Sequence, residues 1–236
     1  MTDPAVRIER RGDVVVCHLD DGKANALTTS IIATLIDVVR DAEGDDTVAA
    51  VVVHGREGKL SGGFDLSVMM GDDLNATINL VADGGELVRT FYGSGVPVVA
   101  ACTGHAVAAG SLMLLGCDVR IGADIDCKIG LNEVAIKMTL PDWAMTMAKE
   151  RLSRRHLQRS VANARLTAAS EAVDAGFLDE AVPVDQVLDV AVARASEMAA
   201  LDRAAYRNTV TKLRGDVLAT VDAQIAADRA ATTSPV

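Results

Sequence analysis

Residues Ala49-Ala50-Val51-Val52-Val53-His54 form an uncharged, almost wholly aliphatic run. A strand with one wet face alternates apolar and polar residues. A run without alternation reads as a strand covered on both faces, the condition of a parallel sheet between helices. Just before it, Thr28 to Glu43 places Ile31, Ile32, Leu35, Ile36 and Val39 at helical spacing, with Thr28 or Thr29 positioned to cap the first turn. A second apolar run, Val96 to Cys102, follows a second helical stretch, Ala76 to Tyr92, which Gly93 and Gly95 end. Strand and helix in alternation imply an α/β domain.

The flanks fit that frame. Arg7 to Arg10 and Val14 to Leu19 read as strands around the turn Arg11-Gly12-Asp13, and Asp20-Asp21-Gly22 as another turn. Gly55 to Lys59 reads as a loop, Gly62-Gly63 as a turn, and residues 67 to 76 as irregular and mobile. From Asp142 the pattern is helical: Trp143 to Arg151, Arg154 to Ala164, Ala168 to Ala175. Gly176 stops that run, and Leu178 to Val182 is a short strand. Val184 to Ala199 and Ala204 to Ala230 are the last helices, and Ala231 to Val236 a frayed tail. No linker divides the chain. Residues 1–185 are expected to form the core, and 186–236 a helical region of the same unit.

Charge and cysteine usage narrow the function classes. The 236-residue chain carries a formal charge of −10, which argues against nucleic acid or an anionic membrane as the main partner. Cys17, Cys102, Cys117 and Cys127 form no CxxC pair, so zinc or a redox dithiol is not expected. His18, His54 and His156 lack acidic or cysteine partners at metal spacing. Met1-Thr2-Asp3-Pro4 does not open a basic-then-apolar signal sequence, and no apolar window is long enough to span a bilayer. The expectation is a cytoplasmic protein with no metal or redox cofactor.

The chemistry concentrates between Gly104 and Pro141. The tiny residues Ala108-Ala109-Gly110 stand where a strand has turned and a helix begins, so a ligand can approach unpaired backbone N–H groups. Glu133 follows among Leu131, Val134 and Ile136. A carboxylate held in hydrocarbon has a raised pKa and can shuttle protons. Taken alone, Glu133 reads more readily as a surface or capping residue, Gly62-Gly63 as a hairpin turn, and Asp65 as a helix cap. Ser111 with His105 lacks the Gly-x-Ser-x-Gly elbow of a hydrolase.

Three ordered motifs resemble the crotonase superfamily of enoyl-CoA hydratases and isomerases. Lys23-Ala24-Asn25-Ala26-Leu27 is similar to its Asn-Ala-Leu block. Leu60-Ser61-Gly62-Gly63-Phe64-Asp65-Leu66 is similar to its first oxyanion motif, and Gly104 to Asp118 to its second. The resemblance implies a crotonase (ClpP/crotonase-like) spiral of ββα units. It also implies a C-terminal helical trimerisation region, giving a homotrimer or a dimer of trimers.

The resemblance implies further an acyl-CoA thioester as substrate, coenzyme A being part of that substrate rather than a cofactor. An oxyanion hole would come from the N–H groups of Phe64 and Ala109. Coenzyme A and substrate would lie against Lys23, Ala24, Ala26, Gly62, Gly63, Asp65, Leu66, Gly110 and Asn132. The acyl pocket would be lined by Leu112, Leu140 and Trp143.

Two departures from the family pattern matter. The hydratase glutamate of the second motif falls on Leu112, while the other falls on Glu133. The middle glycine of that motif is Ala109. Leu131-Asn132-Glu133 with Pro141-Asp142-Trp143 resembles the mitochondrial-type Δ3,Δ2-enoyl-CoA isomerases, which keep one glutamate. The alternatives left open are an enoyl-CoA hydratase and a non-catalytic acyl-CoA binding protein.

Overall fold

The computed structural model describes residues 4–231. In chain order come β1 (Val6–Arg11), β2 (Val14–Leu19), β3 (Ala26–Leu27), α1 (Thr29–Gly44), β4 (Ala50–His54), β5 (Gly58–Ser61), β6 (Gly63–Phe64), α2 (Leu66–Met69) and α3 (Leu74–Tyr92). Then follow β7 (Val98–Cys102), β8 (Gly104–Val107), α4 (Ala109–Gly116), β9 (Val119–Ala123), β10 (Ile129–Gly130) and a 3₁₀ turn, Val134–Ile136. The last elements are α5 (Asp142–Arg151), α6 (Arg154–Val161), α7 (Ala169–Ala175), β11 (Glu180–Val182), a second 3₁₀ turn (Val184–Gln186), α8 (Val187–Ala199) and α9 (Arg203–Ala231).

The main sheet runs β1-β2-β4-β7-β9-β11. Only the β1–β2 hairpin is antiparallel; β2, β4, β7, β9 and β11 pair in parallel. After leaving this sheet the chain adds a short strand to one of two smaller sheets, β10-β8-β5 or β3-β6, before the next helix. Strand, short strand, helix: the unit recurs as β2-β3-α1, as β4 with β5, β6 and α3, and as β7-β8-α4. This is the ββα spiral expected.

Burial explains the apolar runs. Val51, Val53, Val98 and Ala100 face α1, α3 and α4 in the larger core. Ala50, Val52, Val99 and Ala101 face Val187, Ala191 and Ala195 of α8. Both faces are covered, so neither register of alternation carries a polar side chain. Thr28 caps α1, its hydroxyl accepting from the Ile31 N–H at 3.2 Å. Gly176 ends α7 at φ 93°, where a side chain would be strained.

Several local expectations need correction. The Gly55–Lys59 loop and Gly62-Gly63 turn overlap β5 and β6. The segment read as mobile takes in most of α2 and the start of α3. β8, β9 and β10 did not stand out in the sequence, because each is short and rich in Gly or polar residues and is held by pairing with distant strands. Arg151, at the end of α5, is half-buried and donates to the Cys117 carbonyl at 2.8 Å, and burial holds its pKa below the usual range. The tail expected after Ala231 lies outside the described residues.

The C-terminal helix packs on its own chain. Val221 and Ile225 of α9 enter the core, and the helix lies along α3 and α5. Polar clamps flank the contact: Arg89 to Asp222 (2.7 Å), Arg229 to Asp83 (2.9 Å), and Arg214 to Asp118 (2.8 Å), the last nearly excluded from solvent.

Candidate active site

The site is assembled from three loops. The first is the turn before β3. The Asp21 carboxylate accepts from the N–H groups of Lys23 (2.7 Å), Asn25 (2.8 Å) and Ala26 (3.0 Å), closing the turn on itself. Asn25 takes a left-handed φ of 49° and is buried, its amide donating to the carbonyls of Leu19 (2.9 Å) and Leu60 (3.1 Å). Asparagine tolerates that conformation because its short amide bonds locally. The turn presents Lys23 and Ala24 at the surface side of Ala26, and the Lys23 carbonyl accepts from Arg56 at 2.8 Å.

The second loop is Ser61 to Leu66. Gly62 N–H donates to the Ala24 carbonyl (2.8 Å), and the Ser61 hydroxyl donates to the Asn25 carbonyl (2.7 Å) while accepting from Gly63 N–H (3.2 Å). Asp65 N–H donates to the Leu27 carbonyl at 3.2 Å. With Leu27 and Phe64 as register partners in a parallel pair, that bond directs the Phe64 N–H to the other side of the ribbon. Asp65 is the cap expected: its carboxylate accepts from Ser67 N–H and Oγ, both at 2.8 Å. Leu66 projects into solvent beside it.

The third loop begins α4. Ala108 sits at φ 52°, ψ −123°, strained for a residue with a Cβ and of a kind that clusters at functional sites. Its carbonyl accepts the N–H groups of Ser111 and Leu112, and its own N–H reaches the Gly130 carbonyl. Ala109 is the first residue of the helix, where an N–H has no intrahelical partner. Gly110 is required by proximity: a Cβ there would lie 2.5 Å from the Ser61 carbonyl oxygen. Gly63 lies in contact with the same loop, its hypothetical Cβ 3.3 Å from the Ala108 Cβ and 3.6 Å from the Ala109 nitrogen. The fold therefore brings the Gly63 backbone against the start of α4.

Glu133 lies three residues beyond Gly130, which pairs with Val107 at the mouth of this loop. It is 8 % exposed, and Oε2 is buried without a hydrogen-bond partner. Burial pushes its pKa up, against the smaller pull of the Glu133 and Asn132 backbone N–H groups. Asn132 is half-buried with its own Oδ1 unpartnered. Leu112, one turn into α4, is 2 % exposed. Leu140 and Trp143 are buried in the same core, and the Trp143 indole N–H has no acceptor.

The bland alternatives for Ser111 and His105 hold. The Ser111 hydroxyl donates to the Ala106 carbonyl and accepts from Gly130 N–H, bracing β8 against β10. His105 accepts from the Lys128 N–H. Asn25, Asp21 and Ser61 shape the site without having been assigned to it. Their signal lay in the Asp-Asp-Gly turn and the Asn-Ala-Leu block. Among the described residues no group of His, Cys, Asp and Glu is placed to hold a metal, and no helix is long and apolar enough to cross a membrane.

The same architecture recurs in solved structures. An enoyl-CoA hydratase/isomerase family protein from Pseudomonas syringae superposes with a TM-score of 0.91 at 38 % identity, over 95 % of this chain and 96 % of that one. An enoyl-CoA isomerase from Mycobacterium tuberculosis superposes with a TM-score of 0.90 at 35 % identity, over 96 % and 98 %. The mitochondrial enoyl-CoA delta isomerase 1 of Rattus norvegicus is 29 % identical over 186 residues. That match takes in 77 % of this chain and 64 % of the rat protein, so the chain spans under two thirds of that relative's length. Proteins named as hydratases are also among the relatives. The sequence profile of the enoyl-CoA hydratase/isomerase family matches residues 9–236. That span runs from β1 through α9 and takes in all three loops of the site, so this crotonase-fold chain belongs to the enoyl-CoA hydratase/isomerase family.

Proposed function

We propose that the protein moves the double bond of a 3-enoyl-CoA to the 2-position. The carrying observation is a desolvated carboxylate, Glu133, three residues beyond Gly130, whose carbonyl accepts the Ala108 N–H at the start of α4, with Leu112 in the first turn of that helix where a second carboxylate would stand. Isomerisation takes a proton from C2 and returns one to C4 of the same molecule, so one base suffices. Hydration needs a second group to handle water. Glu133 removes the C2 proton. The charge that develops on the thioester oxygen is stabilised by the N–H groups of Phe64 and Ala109, and the glutamic acid then delivers the proton to C4.

The turn at Lys23, Ala24 and Ala26 takes the coenzyme A adenine, and the stretch from Gly62 to Leu66 flanks the pantetheine. Gly110 gives the thioester close access, and Asn132 borders it. As written, the reaction uses no metal or redox cofactor. A cytoplasmic setting and a homotrimer or dimer of trimers complete the reading. The apolar side chains of Leu66, Met70, Leu74, Val134 and Ile136, exposed around the site, suit a subunit contact.

The test is to incubate the protein with 3-enoyl-CoA and, separately, with 2-enoyl-CoA. The expected outcome is interconversion of the two isomers with little 3-hydroxyacyl-CoA. Hydrated product as the main species would make the protein a hydratase. Tight thioester binding with no turnover of either would make it a binding protein.

A further inference from the structure

On the sheet face turned away from α1, α3 and α4, a chain of three side chains ends at the wall of a cavity. Val16 and Val52 pack on the α8 side of the sheet, and His18 and His54 follow on the same face by the alternation of a strand. Arg7, the register partner of His18, lies on that face with Glu9 and Arg11. The cavity holds about 350 Å³, and its walls include Arg7, His18, Asp20, His54 and Arg56. Glu9 is ionised, because Arg11 at 2.6 Å, His18 at 2.9 Å and Arg7 at 3.3 Å hold its carboxyl down to about 2. His18 therefore donates from Nε2. In the uncharged pair its Nδ1 accepts, so His54 Nδ1, 2.9 Å away, donates and His54 Nε2 is a bare acceptor. One proton added anywhere on the pair turns that Nε2 into an N–H donor. His54 Nε2 has no hydrogen-bond partner among the described residues.

We propose that this cavity binds phosphate, free or as a small monoester, at a site separate from that of the thioester. Arg7 gives one N–H to Glu9, and Arg56 uses Nε on Asp20 and Nη1 on the Lys23 carbonyl, so both guanidiniums keep donors for an oxyanion. His54 Nε2 shares one proton with the ligand. Phosphate that carries a proton gives its O–H to the bare nitrogen. Phosphate without one is met by the protonated pair and receives an N–H. A cation is disfavoured, because Arg7, Arg11 and Arg56 surround the imidazoles, and the nearby carboxylates Glu9, Asp20 and Asp189 are already paired with them.

The experiment is calorimetric titration of the full chain with inorganic phosphate, methyl phosphate and sulfate. It is run at about pH 6 and about pH 8, on either side of the ordinary histidine value, in buffers of different ionisation enthalpy, with and without saturating coenzyme A. The expected result is one saturable phosphate site, tighter at the lower pH, with proton uptake on binding at the higher. Sulfate has no proton to give, so at the higher pH phosphate should bind more tightly by about tenfold or more, the worth of one charge-assisted hydrogen bond. His54→Gln cannot change its proton and should abolish the proton uptake. Arg7→Gln, at an exposed position outside the imidazole pair, should weaken phosphate by about tenfold and keep the uptake. Tighter binding of methyl phosphate than of phosphate assigns the site to an ester, and equal binding to the free anion.

The absence of saturable phosphate binding would overturn the proposal. So would equal binding of phosphate and sulfate at both pH values without proton uptake, or unchanged affinity and uptake in both folded variants. Loss of phosphate binding when coenzyme A is present would overturn the separate site, making the cavity part of the coenzyme's own seat, which Arg56 borders through the Lys23 carbonyl.

Discussion

Gly63 packs against Ala109: a Cβ on Gly63 would lie 3.6 Å from the Ala109 amide nitrogen, and 3.3 Å from the Ala108 Cβ. Ala109 is the first residue of α4, where its N–H has no helical partner, and Phe64 follows Gly63. The two amides proposed as oxyanion donors thus come from segments some forty-five residues apart in sequence.

Ala109→Pro tests the donor. The first position of a helix accepts proline, since its φ suits the ring and its N–H is unpaired anyway. The fold should therefore survive while the donor is lost. Turnover should fall by about 10²–10³, the usual effect of removing one oxyanion donor. Ala109→Gly keeps the N–H and should change turnover little. Steady-state kinetics with circular dichroism as the folding control decide the matter.

Glu133→Gln should lower isomerisation by roughly 10²–10⁴, the typical contribution of a general base, and leave thioester affinity within several-fold. Stability should move the other way. Burial raises the folded-state pKa of Glu133 above its unfolded value, so ionising it in the native protein opposes folding. The sign follows: the neutral acid costs nothing at low pH, and a penalty appears as pH rises above the unfolded glutamate pKa. The amide variant should melt higher than wild type at neutral pH and lose that advantage in acid. An unchanged Tm difference across pH would contradict it.

Leu112→Glu should introduce weak hydration, detected as 3-hydroxyacyl-CoA formed from 2-enoyl-CoA. The side chain at this position is 2 % exposed among hydrocarbon neighbours, so the new acid stays protonated near neutrality. Hydration should therefore grow as pH is raised. A folded variant that binds thioester and never hydrates would show that water has no place beside α4.

The imidazoles of His18 and His54, register partners on β2 and β4, meet Nδ1 to Nδ1 at 2.9 Å, and His18 Nε2 lies 2.9 Å from the Glu9 carboxylate. One Nδ1 must donate and the other accept, so the pair resists a second proton. Burial, then the neighbouring His18, lowers the His54 pKa to about 4. A native pKa below the unfolded value means the unfolded chain takes up the proton first. Stability should be full above about pH 6.5 and fall progressively toward pH 4. His54→Gln should flatten that acid slope in a plot of denaturation midpoint against pH.

Arg214 and Asp118 pair at 2.8 Å with 11 % and 4 % of their side chains exposed, tying α9 to the start of β9. Removing one partner strands the other, at a cost of about 3–5 kcal/mol. Arg214→Ala should lower the denaturation midpoint accordingly. An effect as small as that of Arg194→Ala, whose partners are exposed, would mean the pair is solvated in solution.

Much of this architecture was determined by the sequence itself. The β1–β2 hairpin, α1 with its Thr28 cap, the central strands β4 and β7, and the helices from α5 onward are encoded in periodicity and caps, which act within a few residues. The ordered motifs around Asn25, Gly62 and Gly110 were legible through their resemblance to the family, and at Gly110 close backbone approach gives the physical reason for the small residue. What tertiary structure decided was everything that depends on distant partners. β8 and β10 exist because each pairs with remote segments, not because Gly104-His105 or Ile129-Gly130 favours a strand. The sequence could place Glu133 among apolar neighbours, but its orphaned Oε2 and raised pKa come from burial by the whole fold. It marked α9 as a helix, yet only packing could seat Ile225 against Gly85 and Trp143, since an amphipathic stripe specifies that a face must be covered and not by what.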